Sequence, residues 1–316
     1  MTRGSVAEAA ARIAGLVEKT PLIESEVAGT RIWLKCECLQ TGGAFKLRGA
    51  TNRLLQLSEE EKGRGVVAFS SGNHARGVAI AARRLGIRAI IVMPSNAPAV
   101  KVDGTRGEGA EIIFYDRRTE SREAIAAQIS EETGATVVPS FDDPAIVAGQ
   151  GTVGIEIVEQ MGKEPPRIIV PCGGGGLASG VALVVPGAEI VIVEPEGWDD
   201  MARSLDIGEI VPVAADAPDS WCDALQTPRV SPITFRILGD RHAAAFSVSD
   251  DETAEAMRFA WDRHGLVVEP GGAVALAALL VGKVAPLEDT VVVLSGGNVD
   301  PALHGRIVGS KPAHAE

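Results

Sequence analysis

Three short stretches carry residue types that do chemistry. In "TGGAFKLRGA" (41–50), Lys46 follows Phe45 inside a run of small residues. A lone lysine is ordinarily solvated, but one pressed among Gly, Ala and an aromatic ring loses proton affinity and becomes a nucleophilic amine. "PCGGGGLASG" (171–180) sets four consecutive glycines between a strand-like run and a helix-like one. Glycines let the backbone approach a ligand, and free N–H groups at a helix start hold an anion. The stretch lacks both the Gly-Lys-Ser/Thr of a P-loop and a clear dinucleotide pattern, and a glycine run alone also makes a tight turn. "SSGNHARG" (70–77) gathers two hydroxyls, an amide and an imidazole, enough to cap a helix or to grip a carboxylate.

These stretches need elements to hold them together. Seven β-branched runs recur: 65–72, 88–95, 110–116, 135–140, 167–176, 189–197 and 290–298. Their continuous apolar character predicts strands buried on both faces. Helical patterns such as 74–86 and 120–134 lie between them. Alternating strand and helix predicts an open, mostly parallel α/β sheet, with ligands at the carboxyl ends of the strands. Three strands end in "SSGNH", "PCGGGG" and "LSGGN", which points to one cleft lined by backbone amides.

Composition excludes other classes. The 316 residues carry a formal net charge of −12, with no basic cluster for nucleic acid or an anionic membrane. No apolar run is long enough to span a bilayer. The N-terminus reads as an amphipathic helix, with Ser5 and Glu8 at capping-box spacing, and not as a signal peptide. Cys36, Cys38, Cys172 and Cys222 form no Cys-x-x-Cys and predict reduced thiols in a cytoplasm.

An amine, an anion cradle and an aromatic face together suit pyridoxal phosphate (PLP) bound as a Schiff base. The chain resembles the fold-type II PLP enzymes, in the serine/threonine dehydratase (threonine ammonia-lyase) and serine racemase family. The likeness runs in order through "KTPL", "KCECLQTGGAFKLRGA", "SSGNHARGVA", "MPSNAPAVKV", "FDDPAIVAGQGT", "PCGGGGLASG", "VEPEG", "VEPGGA" and "LSGGNVD". It implies a tryptophan synthase β-like fold of two open, twisted, mostly parallel sheets flanked by helices. The implied large PLP-binding domain spans 1–64 and 143–316, with a small mobile domain at 65–142.

The resemblance also implies roles. Lys46 carries the cofactor and later moves the Cα proton, and Phe45 lines one face of the cofactor ring. Gly173, Gly174, Gly175, Gly176 and Leu177 offer amides to the phosphate. Asn73 contacts the phenolic oxygen and Ser295 the pyridine nitrogen. Ser71, Gly72, Asn73 and His74 hold the substrate carboxylate. Arg122 in "TESREA" is placed to pair with a second carboxylate. Glu194, Asp200 and the main-chain carbonyl of Trp198 would hold Mg²⁺ or Ca²⁺, hard cations that take oxygen ligands.

The implied activity is loss of water and ammonia from a β-hydroxy amino acid. L-Threonine or L-serine is the first expectation, with 3-hydroxyaspartate close behind. An amino-acid racemase, with Ser71 as the opposite-face acid/base, is the alternative. A serine at the pyridine nitrogen makes a weaker electron sink than a carboxylate would, which suits β-hydroxyl expulsion over transamination. Relatives are commonly homodimers. Ala44 departs from the usual serine before the Phe-Lys pair. "SWCDALQTPRVSPITF" (220–235) departs too, bringing Cys222 and Asp223 towards the site. The chain stops soon after "SGGNVD", which fits a catabolic role without a regulatory domain.

Overall fold

The computed structural model describes residues 1–70, 72–97 and 99–309. Among the described residues the strands are β1 (Leu22–Val27), β2 (Thr30–Lys35), β3 (Val66–Phe69), β4 (Ala89–Pro94), β5 (Glu111–Tyr115), β6 (Thr136–Val137), β7 (Arg167–Pro171), β8 (Glu189–Pro195), β9 (Ala244–Val248) and β10 (Thr290–Val293). They form a six-stranded sheet, β1-β2-β10-β7-β8-β9, and a four-stranded sheet, β5-β4-β3-β6. All pairings are parallel except β1 with β2.

All seven strands read from the sequence are present. The sequence reading omits β1, β2 and β9. β1 and β2, "LIESEV" and "TRIWLK", mix charged with apolar residues and so lack the continuous apolar run of the other strands; they pair as an antiparallel edge that is only partly buried. The N-terminal cap also differs from expectation. The first helix is Arg3–Ile13, and its capping box joins Thr2 to Ser5, so Ser5 is the third helical residue and not the cap.

The central strands β7, β8 and β10 are almost wholly buried, and helices cover both faces of the sheet. Beneath the helix Lys46–Leu55 lies a buried ionic cluster. Arg48 Nε and Nη2 each donate 2.8 Å bonds to Glu37, while Nη1 and Nη2 reach Glu156 at 2.6 and 2.9 Å. Lys35 Nζ donates to Glu156 at 2.6 Å and to the Thr20 carbonyl at 2.7 Å. Burial alone would push the Glu37 carboxyl up, but the Arg48 charge and bidentate bonds, with Lys35, hold it below the ordinary range. The cluster ties β2 to the helices Lys46–Leu55 and Pro144–Met161, and so fixes the start of the segment that carries Lys46.

Candidate active site

A cleft of about 1010 Å³, counting its open mouth, lies at the carboxyl ends of β3 and β7. Phe45, Lys46, Gly72, Asn73, His74, Gly173, Gly174, Gly175, Gly176, Leu177, Arg122 and Ser295 all line it. Residues predicted from separate stretches therefore meet in one place. Ser71 lies outside the described residues.

Lys46 opens its helix, with Phe45 just before it. The lysine Nζ donates to the Ser140 carbonyl at 2.9 Å and stands 5.2 Å from the centre of the Phe45 ring. Burial pushes the amine down to about 8, so a useful fraction is neutral near neutral pH. The Phe45 amide donates to the Ser295 carbonyl at 3.2 Å, and Ala44 bridges Gly296. The aromatic wall and the serine hydroxyl are thus locked side by side.

The glycine run leads from β7 into the helix Gly176–Val184, whose start has no side-chain cap among the described residues. Gly175 sits at φ +82°, where a side chain would be strained. A Cβ at Gly174 would fall 2.3 Å from the Phe141 ring. An uncapped helix start facing a cleft, with no side chains in the way, fits a phosphate. With the desolvated amine and the adjoining ring, the donor set fits PLP.

The Asn73 amide donates to Glu269 and accepts from Asn298 at 2.8 Å. His74 Nε2 donates to the Val138 carbonyl at 2.9 Å, while Nδ1 has no partner among the described residues. Burial, with the Lys46 charge, pushes the imidazole down to about 3. His74 is therefore neutral, and its one N–H is already used.

Arg122 begins the helix Arg122–Thr133. Its guanidinium stacks 5.5 Å from the Phe69 ring centre and bonds Glu123 at 2.8 Å. Lys101 and Arg117 line the same cleft, and Lys101 pairs with Asp223 across it. Cys222 is fully buried behind Asp223 and does not line the cleft. Sequence reasoning missed Lys101, Arg117, Glu269 and Asn298. The "KV" of "MPSNAPAVKV" and the glutamate of "VEPGGA" were the available signals.

The similarities follow this geometry. The sequence profile of the family described as "Pyridoxal-phosphate dependent enzyme" matches residues 13–296.

The chain belongs to the pyridoxal-phosphate-dependent enzyme family.

Two of its relatives are named L-threo-3-hydroxyaspartate ammonia-lyase. The Saccharomyces cerevisiae protein is 41% identical over 98% of this chain and 97% of its own length. The Pseudomonas sp. protein is 43% identical over 93% of this chain and 94% of its own. The structure of maize serine racemase superposes with a TM-score of 0.91 at 38% identity, covering 96% of each chain. PLP is thus the cofactor of this enzyme's family. Among PLP enzymes of this family the fold is the fold-type II α/β architecture expected from the sequence.

The three residues proposed for a cation lie away from the cleft. Glu194, at the end of β8, accepts from the Met201 and Ala202 amides at 3.1 and 2.8 Å. Asp200 is wholly buried, and neither carboxylate oxygen has a partner among the described residues. Burial pushes Asp200 up to about 6, and Glu194 is also raised. Trp198 turns the chain between them and donates its indole N–H to the Pro218 carbonyl at 2.8 Å. No cluster of three or more His, Cys, Asp or Glu side chains is grouped for a metal among the described residues. Nor is any helix there long and apolar enough to cross a membrane.

Proposed function

We propose that the protein is a PLP-dependent ammonia-lyase that converts a β-hydroxy amino acid to a 2-oxo acid and ammonia. We place L-threo-3-hydroxyaspartate first among its substrates, ahead of L-threonine and L-serine. The observation that carries this reading is one cleft holding the Lys46 amine, the Gly173–Gly176 turn and the Arg122 guanidinium. The names of the two relatives above support the substrate.

Bound PLP supplies the electron sink that makes a Cα proton removable. Lys46 would hold the cofactor and, when its amine is free, take that proton, a task suited to an amine whose burial lowers its proton affinity. The amides of Gly173, Gly174, Gly175, Gly176 and Leu177 would hold the phosphate. Phe45 would cover one ring face, Ser295 would meet the pyridine nitrogen and Asn73 the phenolic oxygen. Ser71, Gly72 and the backbone amide of Asn73 would take the substrate α-carboxylate. His74 shapes that pocket as a neutral ring with a free lone pair, because its N–H is spent on Val138. Arg122 receives the second carboxylate, with the Lys101 and Arg117 charges on the same cleft.

The domain division expected from the sequence belongs to this proposal: 1–64 with 143–316, and 65–142 as a smaller body that closes on substrate. Its support is that β3 to β6 build the four-stranded sheet alone. Closure excludes water from the reacting carbon. Glu194, Asp200 and the Trp198 carbonyl are proposed to bind Mg²⁺ or Ca²⁺, supported by the two unpartnered Asp200 oxygens. A cytoplasmic homodimer completes the reading, and four buried free thiols suit a reducing compartment.

The test is 2-oxo acid release by PLP-loaded enzyme from L-threonine, L- and D-serine and the 3-hydroxyaspartate stereoisomers. Arg122→Met is expected to raise KM for 3-hydroxyaspartate roughly ten- to hundredfold, the loss of a charged hydrogen bond, and to leave L-threonine within about twofold. Turnover confined to monocarboxylates would overturn the dicarboxylate assignment. Loss of α-deuterium without 2-oxo acid would make the protein an isomerase.

A further inference from the structure

Glu269 is a buried acid, about 1% exposed, that the chemistry above leaves unused. It opens the helix Pro270–Leu280 as its N-cap, without capping it through its side chain. One oxygen accepts from Asn73, and the other has no partner among the described residues. Gly296 makes room for this contact, since a Cβ there would fall 2.0 Å from Glu269 Oε1. The question is what so costly an arrangement accomplishes.

The hydrogen bonds form a chain whose direction is fixed at one end. A guanidinium only donates, so Arg76 Nη1, 3.0 Å from Asn298, must face the Asn298 carbonyl oxygen. A backbone carbonyl only accepts, so Gly42 O, at 2.8 Å, must face the Asn298 NH₂ group. The second N–H of that group goes to Asn73 Oδ1 at 2.8 Å. With its oxygen thus occupied, Asn73 turns its own NH₂ group towards Glu269 and the cleft. One N–H is taken by Glu269, and the other is left for a ligand.

We propose that Asn298 and Glu269 are positioning residues which fix the Asn73 amide with an N–H facing the cofactor. The ligand atom opposite Asn73 is therefore held as a hydrogen-bond acceptor. The inference rests on the PLP reading, in which that atom is the phenolic oxygen, stabilised as its anion. Glu269 serves in either protonation state. Burial pushes its carboxyl up to about 7, Lys101 pulls it down, Asp223 pushes it up and Asn73 pulls it down, yet an acceptor oxygen remains in both forms. Orientation, and not charge, is its contribution.

The experiment uses the full chain, stripped of PLP and titrated with it. The readouts are the dissociation constant and the ratio of visible to near-ultraviolet absorption of the bound cofactor. Asn298→Asp keeps an acceptor for Arg76 but removes the donor to Asn73, whose amide then turns over. PLP binding is expected to weaken roughly tenfold, the value of one hydrogen bond, with a changed absorption ratio. Glu269→Leu is expected to act in the same direction. Glu269→Gln, which still offers an oxygen, is expected to keep the wild-type absorption ratio.

If Asn298→Asp does not fold, the Glu269 pair decides the matter alone. Wild-type affinity and absorption in both Asn298→Asp and Glu269→Leu would overturn the inference. So would Glu269→Gln behaving like Glu269→Leu, which would make charge the cause. Failure of the wild-type chain to bind PLP would instead sink the cofactor reading beneath it.

Discussion

Two buried polar regions lie a few residues apart in sequence and are built on opposite terms. Around Arg48, every charge has a partner: Glu37, Glu156 and Lys35 close a dry cluster. Around Lys46, the amine meets a carbonyl and a ring but no counter-charge, His74 keeps a bare nitrogen and Glu269 a bare oxygen among the described residues. Burial is common to both, so burial does not distinguish structure from function. Satisfaction does. The paired cluster has nothing left to offer a ligand, whereas the unpaired groups are held ready for one.

That contrast can be broken in several ways. The largest effect is expected from Lys46→Ala, which should lower turnover by about 10³-fold or more while the fold persists. Steady-state 2-oxo acid release and a thermal melt of the same sample check both halves. Unchanged turnover would remove Lys46 from the chemistry.

Next comes Arg48→Met, which leaves Glu37 buried without its partner. A loss of about 3–5 kcal/mol in urea unfolding is expected. Adding Glu37→Gln is expected to recover part of it, since the orphaned charge is then gone. Strict additivity of the two would mean that they are not coupled.

Asp200→Asn should run the other way. The native carboxyl titrates near 6 against an ordinary 3.8, so the folded chain binds more protons between those values and loses stability as pH rises through them. In EDTA near pH 7, the variant should gain up to roughly 2 kcal/mol, and near pH 3.5 nothing. With Mg²⁺ or Ca²⁺, the melting temperature of the wild type should rise while the variant stays flat. No cation response in either would remove the metal site.

The smallest effect concerns Lys46 itself. Its native value of about 8 lies below the ordinary 10.5, so its burial destabilises the apo fold most below pH 8 and is relieved as pH climbs. On the proposal that Lys46 holds PLP, only its neutral amine captures the cofactor, so the loading rate of the apo-protein should rise about tenfold from pH 7 to pH 9. A flat profile would place the amine outside the limiting step.

The glycine turn, the stretch around Asn73 and the one around Ser295 were legible because they follow the ends of buried strands, and Lys46 because it stands among small residues beside a ring. The individual roles expected of Asn73 and Ser295 came from the family resemblance. Other partners do not. Ser140 and Val138 act through backbone carbonyls, which carry no side-chain identity to read. Glu269 and Asn298 matter only through contacts with residues far away in sequence. β9, "AAFSV", is short and of weak strand character, held by its pairing with β8. His74 lines the cleft, but the role of holding a substrate carboxylate expected for it could not be weighed from the sequence, because its N–H is engaged by a distant backbone carbonyl, that of Val138.

The pair Ser140–Phe141 invites a closing consideration in evolutionary terms. The carbonyl of the first residue holds the Lys46 amine, and the ring of the second seats against Gly174. One dipeptide therefore touches both the lysine and the glycine turn across the cleft. Drift at Phe141 is felt by the glycine turn and drift at Ser140 by the lysine, so neither neighbour is free to vary by itself. Descendants of this chain should show the dipeptide and the turn changing in concert, and a library varying Ser140, Phe141 and Gly174 together should recover active combinations that single-site scanning would discard.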